Sequence, residues 1–250
     1  MQLGLVRLLT HQRALYDQPR DMTRFRAYLV QLSANDHDLA YFLAGMNPMA
    51  KDKAKAAYDA LLAMDAEDIA EEALRDASAR LANVPGQLKV ALLVQDDAQG
   101  LWSQREPAEA QRWRSDAAAR KGYVPVPLLS SAAPYSAEQV RQAVLADVYR
   151  AAHLLRHGPP RTLRDVLAQE GRAMLFAGSA APDVDVAAAL AILAPHLDAR
   201  ADFPETFAAM FGDAAAKTWG HAPLGLPERA GFAVALAEAR EAGERPEDRL

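Results

Sequence analysis

The sequence predicts a mainly helical α/β domain with a small parallel sheet, built from one strand–helix–strand unit and surrounded by helices. Three observations carry that expectation. Apolar residues recur at helical spacing over 1–84 and again over 135–242. Two short, nearly continuous apolar runs, 88–94 (LKVALLV) and 123–129 (YVPVPLL), interrupt the helical pattern. The segment between them reads as one helix, the crossover that parallel strands require.

The elements follow in order. Leu5, Leu8, Leu9 and Leu15 suit a first helix, and Phe25, Leu29 and Leu32 mark a second. Asn35 is placed to cap a third, which carries Leu39, Phe42 and Leu43 and ends at Gly45. Asn47-Pro48 reads as an N-cap followed by proline at the first helical position, opening a fourth helix to about Met64. A fifth begins at Asp65, with Glu67 and Asp68 in its first turn against the helix dipole, and stops before Pro85-Gly86.

The 88–94 run has the length and β-branched content of a buried strand. Pro125 and Pro127 cannot donate to a ladder, so the 123–129 strand belongs at an edge. Pro107 to Lys121 is the intervening helix. Ser136 and Gln139 form a capping-box pattern for a long helix to about Arg156. Thr162 with Asp165 opens the next, which Gly178 ends. Further helices are predicted at 183–199, 205–211, 213–219 and 228–242. The whole reads as a single helix-rich domain, 1–242: a helical part over 1–84, a βαβ core over 87–130 and a helical part over 135–242. The polar tail 243–250 is expected to be flexible.

Composition narrows the function classes. The chain has 33 acidic against 28 basic residues, a net charge of -5, so no global attraction to a phosphate backbone exists. The absence of cysteine excludes disulfides, thiol nucleophiles and thiolate-bound metal. No run approaches the ~20 apolar residues that span a bilayer. Arg7 interrupts what would be the apolar stretch of a signal peptide, and a cytoplasmic location is expected. The phosphate-binding loop, dinucleotide fingerprint, HExxH, GxSxG and EF-hand patterns are all absent.

The most suggestive segment is 95–106 (QDDAQGLWSQRE), just past the first strand. Ligands of α/β units bind beyond the carboxyl ends of parallel strands, where loops converge and helix N-termini point. Asp96 and Asp97 are candidates to bind a hydroxyl, an amine or a divalent cation, with Asp97 as a catalytic group. Arg105 is a candidate anion clamp, and Trp102 a stacking face or wall. The competing structural reading makes the acids turn residues and Trp102 a plug for the loop. His37 or Asn47, if folded onto this loop, would complete a polar pocket.

Glu170 falls within roughly 20° of Leu163 on its helix, inside the apolar stripe of Leu163, Val166, Leu167 and Met174. A carboxylate there needs a partner, for which Arg172, Arg150 or a histidine is available, or it serves as a buried base. Asp147 sits near the edge of its stripe, within reach of water. His153 and His157 are spaced to share a helix face, away from the apolar stripe, and read as dipole complements rather than zinc ligands. The basic group Arg105, Arg112, Arg114, Arg120 and Lys121 is interrupted by Glu106, Glu109 and Asp116, so an ion-paired surface is expected over a nucleic-acid patch.

These readings lead to a small-molecule or metal pocket at the carboxyl end of the 88–94 strand. A hydrolase or transferase acting on a small polar or anionic substrate is the expected activity. No cofactor is named; an all-oxygen donor set would favour Mg²⁺ or Mn²⁺ over zinc. The alternative is a non-enzymatic helical interaction protein, a homo-oligomer joined through Phe203, Phe207, Met210 and Phe211.

Overall fold

The computed structural model describes residues 1–33, 36–97, 104–201 and 203–250, with the side chain of Phe203 left aside. The chain forms two compact units, one of residues 1–105 and 121–148, the other of residues 106–120 and 149–250.

In the first unit, β1 (Gln2–Leu5) leads to α1 (Leu9–Leu15), α2 (Met22–Leu32), α3 (His37–Leu43), α4 (Asp52–Ala63) and α5 (Ala66–Arg80). Next come β2 (Gln87–Gln95), then α6 (Arg105–Arg114) and α7 (Ala117–Arg120), nearly all of which belong to the second unit. β3 (Tyr123–Leu129) returns to the first unit, a 3-10 turn covers Ser130–Ala132, and α8 (Ala137–His157) begins. The sheet has the order β1-β2-β3 with both pairings parallel. Mainly helical α/β architecture is therefore what the chain adopts.

The central strand explains itself. Val90–Val94 is buried on both faces, which is why its sequence is a continuous apolar run rather than an alternating one. β3 is at the edge, where its prolines require it. The Lys89 N–H bonds the Gly122 carbonyl at 2.8 Å, setting the phase of the parallel ladder. In that phase Val124, Val126 and Leu128 turn their N–H groups toward β2, while positions 125 and 127 turn away, where a missing donor costs nothing.

β1 corrects the sequence reading. Leu5 does not join Leu8 and Leu9 in a helix: Leu3 and Leu5 alternate with exposed Gln2 and Gly4 and pair with Leu88 and Val90. Four residues are too few for a period of two to stand out against the helical leucines that follow. The sheet thus has a third strand beyond the single βαβ unit. α1 starts at Leu9, where the Glu67 carboxylate of α5 accepts the Leu8 and Leu9 N–H groups at 2.6 and 3.0 Å. A neighbouring helix, not a local cap, satisfies that terminus.

Other boundaries shift for local reasons. Asp36 caps α3 by accepting from Asp38 and Leu39; the Asn35 expectation lies outside the described residues. Asn47 does not open α4, which begins at Asp52; its Oδ1 closes a short turn on the Met49 N–H at 2.9 Å. The expected 107–121 helix is two, broken at Ser115-Asp116, where the Ser115 hydroxyl accepts the Ala117 N–H at 3.3 Å. The Ser136–Gln139 capping box is present, at 2.8 and 3.2 Å.

The second unit continues with α9 (Leu163–Ala177), α10 (Val186–Leu193), α11 (Phe203–Phe211), α12 (Asp213–Thr218) and α13 (Ala230–Glu241). Both reciprocal bonds of the Thr162–Asp165 capping box are made, and Gly178 ends α9 in the left-handed conformation. Its core gathers Trp113, Phe207, Met210, Phe211, Phe232 and Leu236. Trp113 stacks on Phe211 and meets Phe232 edge-on, each at 5.8 Å between centroids. Gly231 lets α13 approach α11: a Cβ there would lie 2.6 Å from the Ala209 carbonyl oxygen. The tail expected to be flexible instead ends in a 3-10 turn, Pro246–Arg249. Pro246 is buried there, and its carbonyl accepts the Tyr149 hydroxyl at 3.0 Å.

Candidate functional site

The carboxyl ends of β2 and β3 meet in the first unit, and the side chains just beyond them converge. Asp96 and Asp97 follow β2; Ser130 and Ser131 follow β3. Parallel neighbours release their next residues on the same side, so the two loops face one another without further instruction.

Asp97 is the hub. Its Oδ1 accepts the Ser131 N–H at 2.8 Å and lies 3.2 Å from the Ser130 hydroxyl, while its Oδ2 accepts the Ser131 hydroxyl. A carboxylate taking a backbone N–H at the start of a 3-10 turn forms a charge-assisted bond and fixes the direction of the chain after β3. Asp96 is drawn the other way. Its Oδ2 accepts from Asn47 Nδ2 at 3.2 Å, and its Oδ1 is 3.5 Å from the Ser130 hydroxyl. Both carboxylates are half-buried, Ser130 is buried, and Ser131 is exposed.

Asn47 is held from two directions. Its Oδ1 is engaged by Met49, and its carbonyl accepts the Tyr16 hydroxyl at 2.6 Å. Tyr16 is buried, its ring 5.3 Å from that of Tyr58, with the Arg24 guanidinium 5.2 Å from its centroid. Burial first, and the Asp96 charge second, push the Tyr16 phenol well above the ordinary tyrosine range, so it remains a neutral donor. Asn47 is thus oriented on Asp96 by a neutral, enclosed hydrogen-bond chain.

Each expected site residue can now be placed. Asp96 and Asp97 lie together, and of the two residues considered as completing them the fold brings Asn47; His37 stays exposed at the start of α3. Arg105 is the exposed first residue of α6. The Trp102 expectation lies outside the described residues. Ser130 and Ser131 were missed, although the rule that selects the residues after β2 selects those after β3 equally well.

Glu170 belongs to the second unit and is fully enclosed. Of its candidate partners Arg150 is the one: Nε lies 2.9 and 3.1 Å from the two carboxylate oxygens, and Nη2 lies 2.7 Å from Oε2. These contacts are those of an internal ion pair tying α8 to α9.

Other expectations need correcting. Asp147 is buried, not at the water boundary. His153 is buried; on the same side of its helix Tyr149 and His157 reach the C-terminal turn, with His157 Nε2 2.7 Å from the Arg249 carbonyl oxygen. Burial, then the neighbouring His157, brings His153 down to about 4. Among the described residues no three His, Asp or Glu side chains are grouped to hold a metal. Phe207, Met210 and Phe211 are not an association surface but core, packed in one cluster with Trp113 and α13, while the side chain of Phe203 lies outside what is described. The basic segment is ion-paired in part, Arg120 with Asp116, and Glu109 with Arg229 at 3.1 Å, while Trp113 is buried.

No sequence family, no curated protein and no solved structure matches this chain. Among the described residues no helix is long and apolar enough to cross a membrane.

Proposed function

We propose that the carboxyl edge of the sheet is a small-molecule or divalent-cation site, and that the protein acts there as a hydrolase or transferase on a small polar or anionic substrate. The observation that supports this reading is the convergence of Asp96, Asp97, Ser130, Ser131 and Asn47 where two parallel strands end. Asp96 and Asp97 supply the carboxylates, with Asp97 the candidate catalytic group. The Ser130 hydroxyl and the Asn47 amide bind ligand oxygens, while Ser131 clamps Asp97, and Arg105 and Trp102 serve as anion clamp and wall. A donor set of oxygens alone suits Mg²⁺ or Mn²⁺. The acidic, cysteine-free composition supports a cytoplasmic setting.

Thermal-shift titration with Mg²⁺, Mn²⁺, Zn²⁺, inorganic phosphate and a panel of small phosphate esters and carboxylates tests the reading. At least one hard cation or anion raises the melting temperature of the wild type and not of Asp97→Asn, whereas Ser131→Ala retains the response. A flat panel, or equal loss in Ser131→Ala and Asp97→Asn, reduces Asp97 to a clamp on the chain.

Self-association, the second reading, draws on another surface. Met22, Leu29 and Val30 are exposed together on α2. Light scattering across a concentration series, with Val30→Lys as the variant, separates this reading from a monomeric enzyme.

A further inference from the structure

A hollow of about 180 Å³ lies in the second unit, between α9, α13 and the C-terminal turn. One water needs about 10–15 Å³ on this measure, so the space admits an organic molecule of several heavy atoms. Its origin is legible in the sequence. α9 and α13 touch at Gly171, where a Cβ would lie 2.0 Å from the Ala235 carbonyl oxygen. Beside that contact the floor of the groove is made of small residues, Ala168 of α9, Ala235 and Ala239 of α13, and Ala242 just past it, which leave it unfilled. The C-terminal turn closes one side, held by Tyr149 on the Pro246 carbonyl and His157 on that of Arg249.

The charged groups around this apolar floor are not equivalent. Arg249 is taken by Glu244, and Arg245 by Asp248 at 3.0 and 3.2 Å. That leaves Arg172 on α9 and Glu238 on α13. Neither forms a side-chain hydrogen bond or ion pair with any described residue, or with the other; Arg172 has Glu244, and Glu238 has Arg164, only as opposite charges at longer range. One guanidinium and one carboxyl of opposite sign therefore border the same small apolar space, on facing helices.

We infer that this hollow is a binding site for a small aliphatic α-amino acid, its carboxylate on Arg172, its ammonium on Glu238 and its side chain on the alanine floor. A zwitterion is the ligand class that bonds both groups at once; a simple carboxylate leaves Glu238 with only the more distant Arg164 charge, and an amine leaves Arg172 with only that of Glu244. Arg172 suits a carboxylate because its planar fork presents parallel donors. Glu238 is exposed at the rim of the hollow, where partial desolvation holds its carboxyl above the ordinary range, and an ammonium against it would favour the charged form. The site shares no residue with the Asp96–Asp97 cluster, so each proposal stands or falls separately.

The test is calorimetric or NMR titration of the full chain with glycine, L-alanine, L-valine and L-leucine. Isovalerate and isobutylamine serve as valine lacking one charge or the other. Saturable binding of at least one aliphatic amino acid is expected, with a dissociation constant on the order of a millimolar and both single-charge analogues at least about tenfold weaker. Arg172→Gln should make L-valine no better than isobutylamine, and Glu238→Gln no better than isovalerate. The inference is overturned if none of the four amino acids saturates, or if isovalerate matches L-valine in the wild type. The analogue comparison needs no variant, so it holds even where a substitution perturbs folding.

Discussion

Arg150 grips the Glu170 carboxylate through Nε and Nη2, and neither side chain has appreciable contact with water. Two helices of the second unit are thereby joined by a charge pair inside an otherwise apolar stripe. Such a pair contributes little net stability relative to well-packed apolar residues, because both ions are desolvated, but losing one partner strands the other.

Glu170→Ala should therefore lower unfolding stability by about 3–5 kcal/mol. The double variant Arg150→Met/Glu170→Leu should recover most of the loss. Urea denaturation of the three proteins checks both halves; a double variant as unstable as the single one would mean that the pair itself, not the stranded charge, governs the site.

Gly171→Ala should be among the most damaging of small changes. The new methyl meets backbone, the Ala235 carbonyl, which cannot rotate aside, and a cost of about 3 kcal/mol or more is expected. Gly4→Ala is the control, since nothing lies within 4 Å of a Cβ there. Melting temperatures of the two variants should differ widely; similar values would show that α9 and α13 can separate freely.

Acid should destabilise the second unit through His153. Its value falls from 6.5 to about 4 on folding, so between those limits the unfolded chain binds a proton that the folded one refuses. The contribution is complete above pH 6.5 and is lost as pH falls toward 4, amounting to as much as ~3 kcal/mol. His153→Asn, which does not titrate, should flatten the stability profile between pH 4 and 6.5. An unchanged slope would place the acid sensitivity elsewhere.

Phe207→Asp should unfold the second unit rather than dissociate an oligomer. Phe207 is enclosed, its ring 4.8 Å from that of Phe211, and a charge there has no partner. Circular dichroism and light scattering on the same sample distinguish the outcomes: a folded variant of lower mass would restore α11 as an interface.

Breaking the clamp after β3 is a milder change. Ser131→Ala removes one hydroxyl from an exposed position and should cost about 0.5–1.5 kcal/mol by urea denaturation. A larger loss would mean that the whole carboxyl edge depends on that bond.

Local rules sufficed wherever the deciding partner lay within a few residues. The capping boxes at Ser136 and Thr162, the buried run of β2 and the edge position of a strand holding Pro125 and Pro127 all follow from backbone donors and side-chain periodicity. The position of Asp96 and Asp97 beyond a strand end was legible for the same reason. Partners distant along the chain were not: Glu67 capping α1, Asn47 reaching Asp96, Ser131 closing on Asp97, Arg150 chosen over Arg172 for Glu170. Each joins residues whose separation in sequence carries no periodic signal, so only the packed chain could select them. The burial of His153, Phe207 and Phe211 has the same origin, since a helix face is core or surface according to what the rest of the chain lays over it.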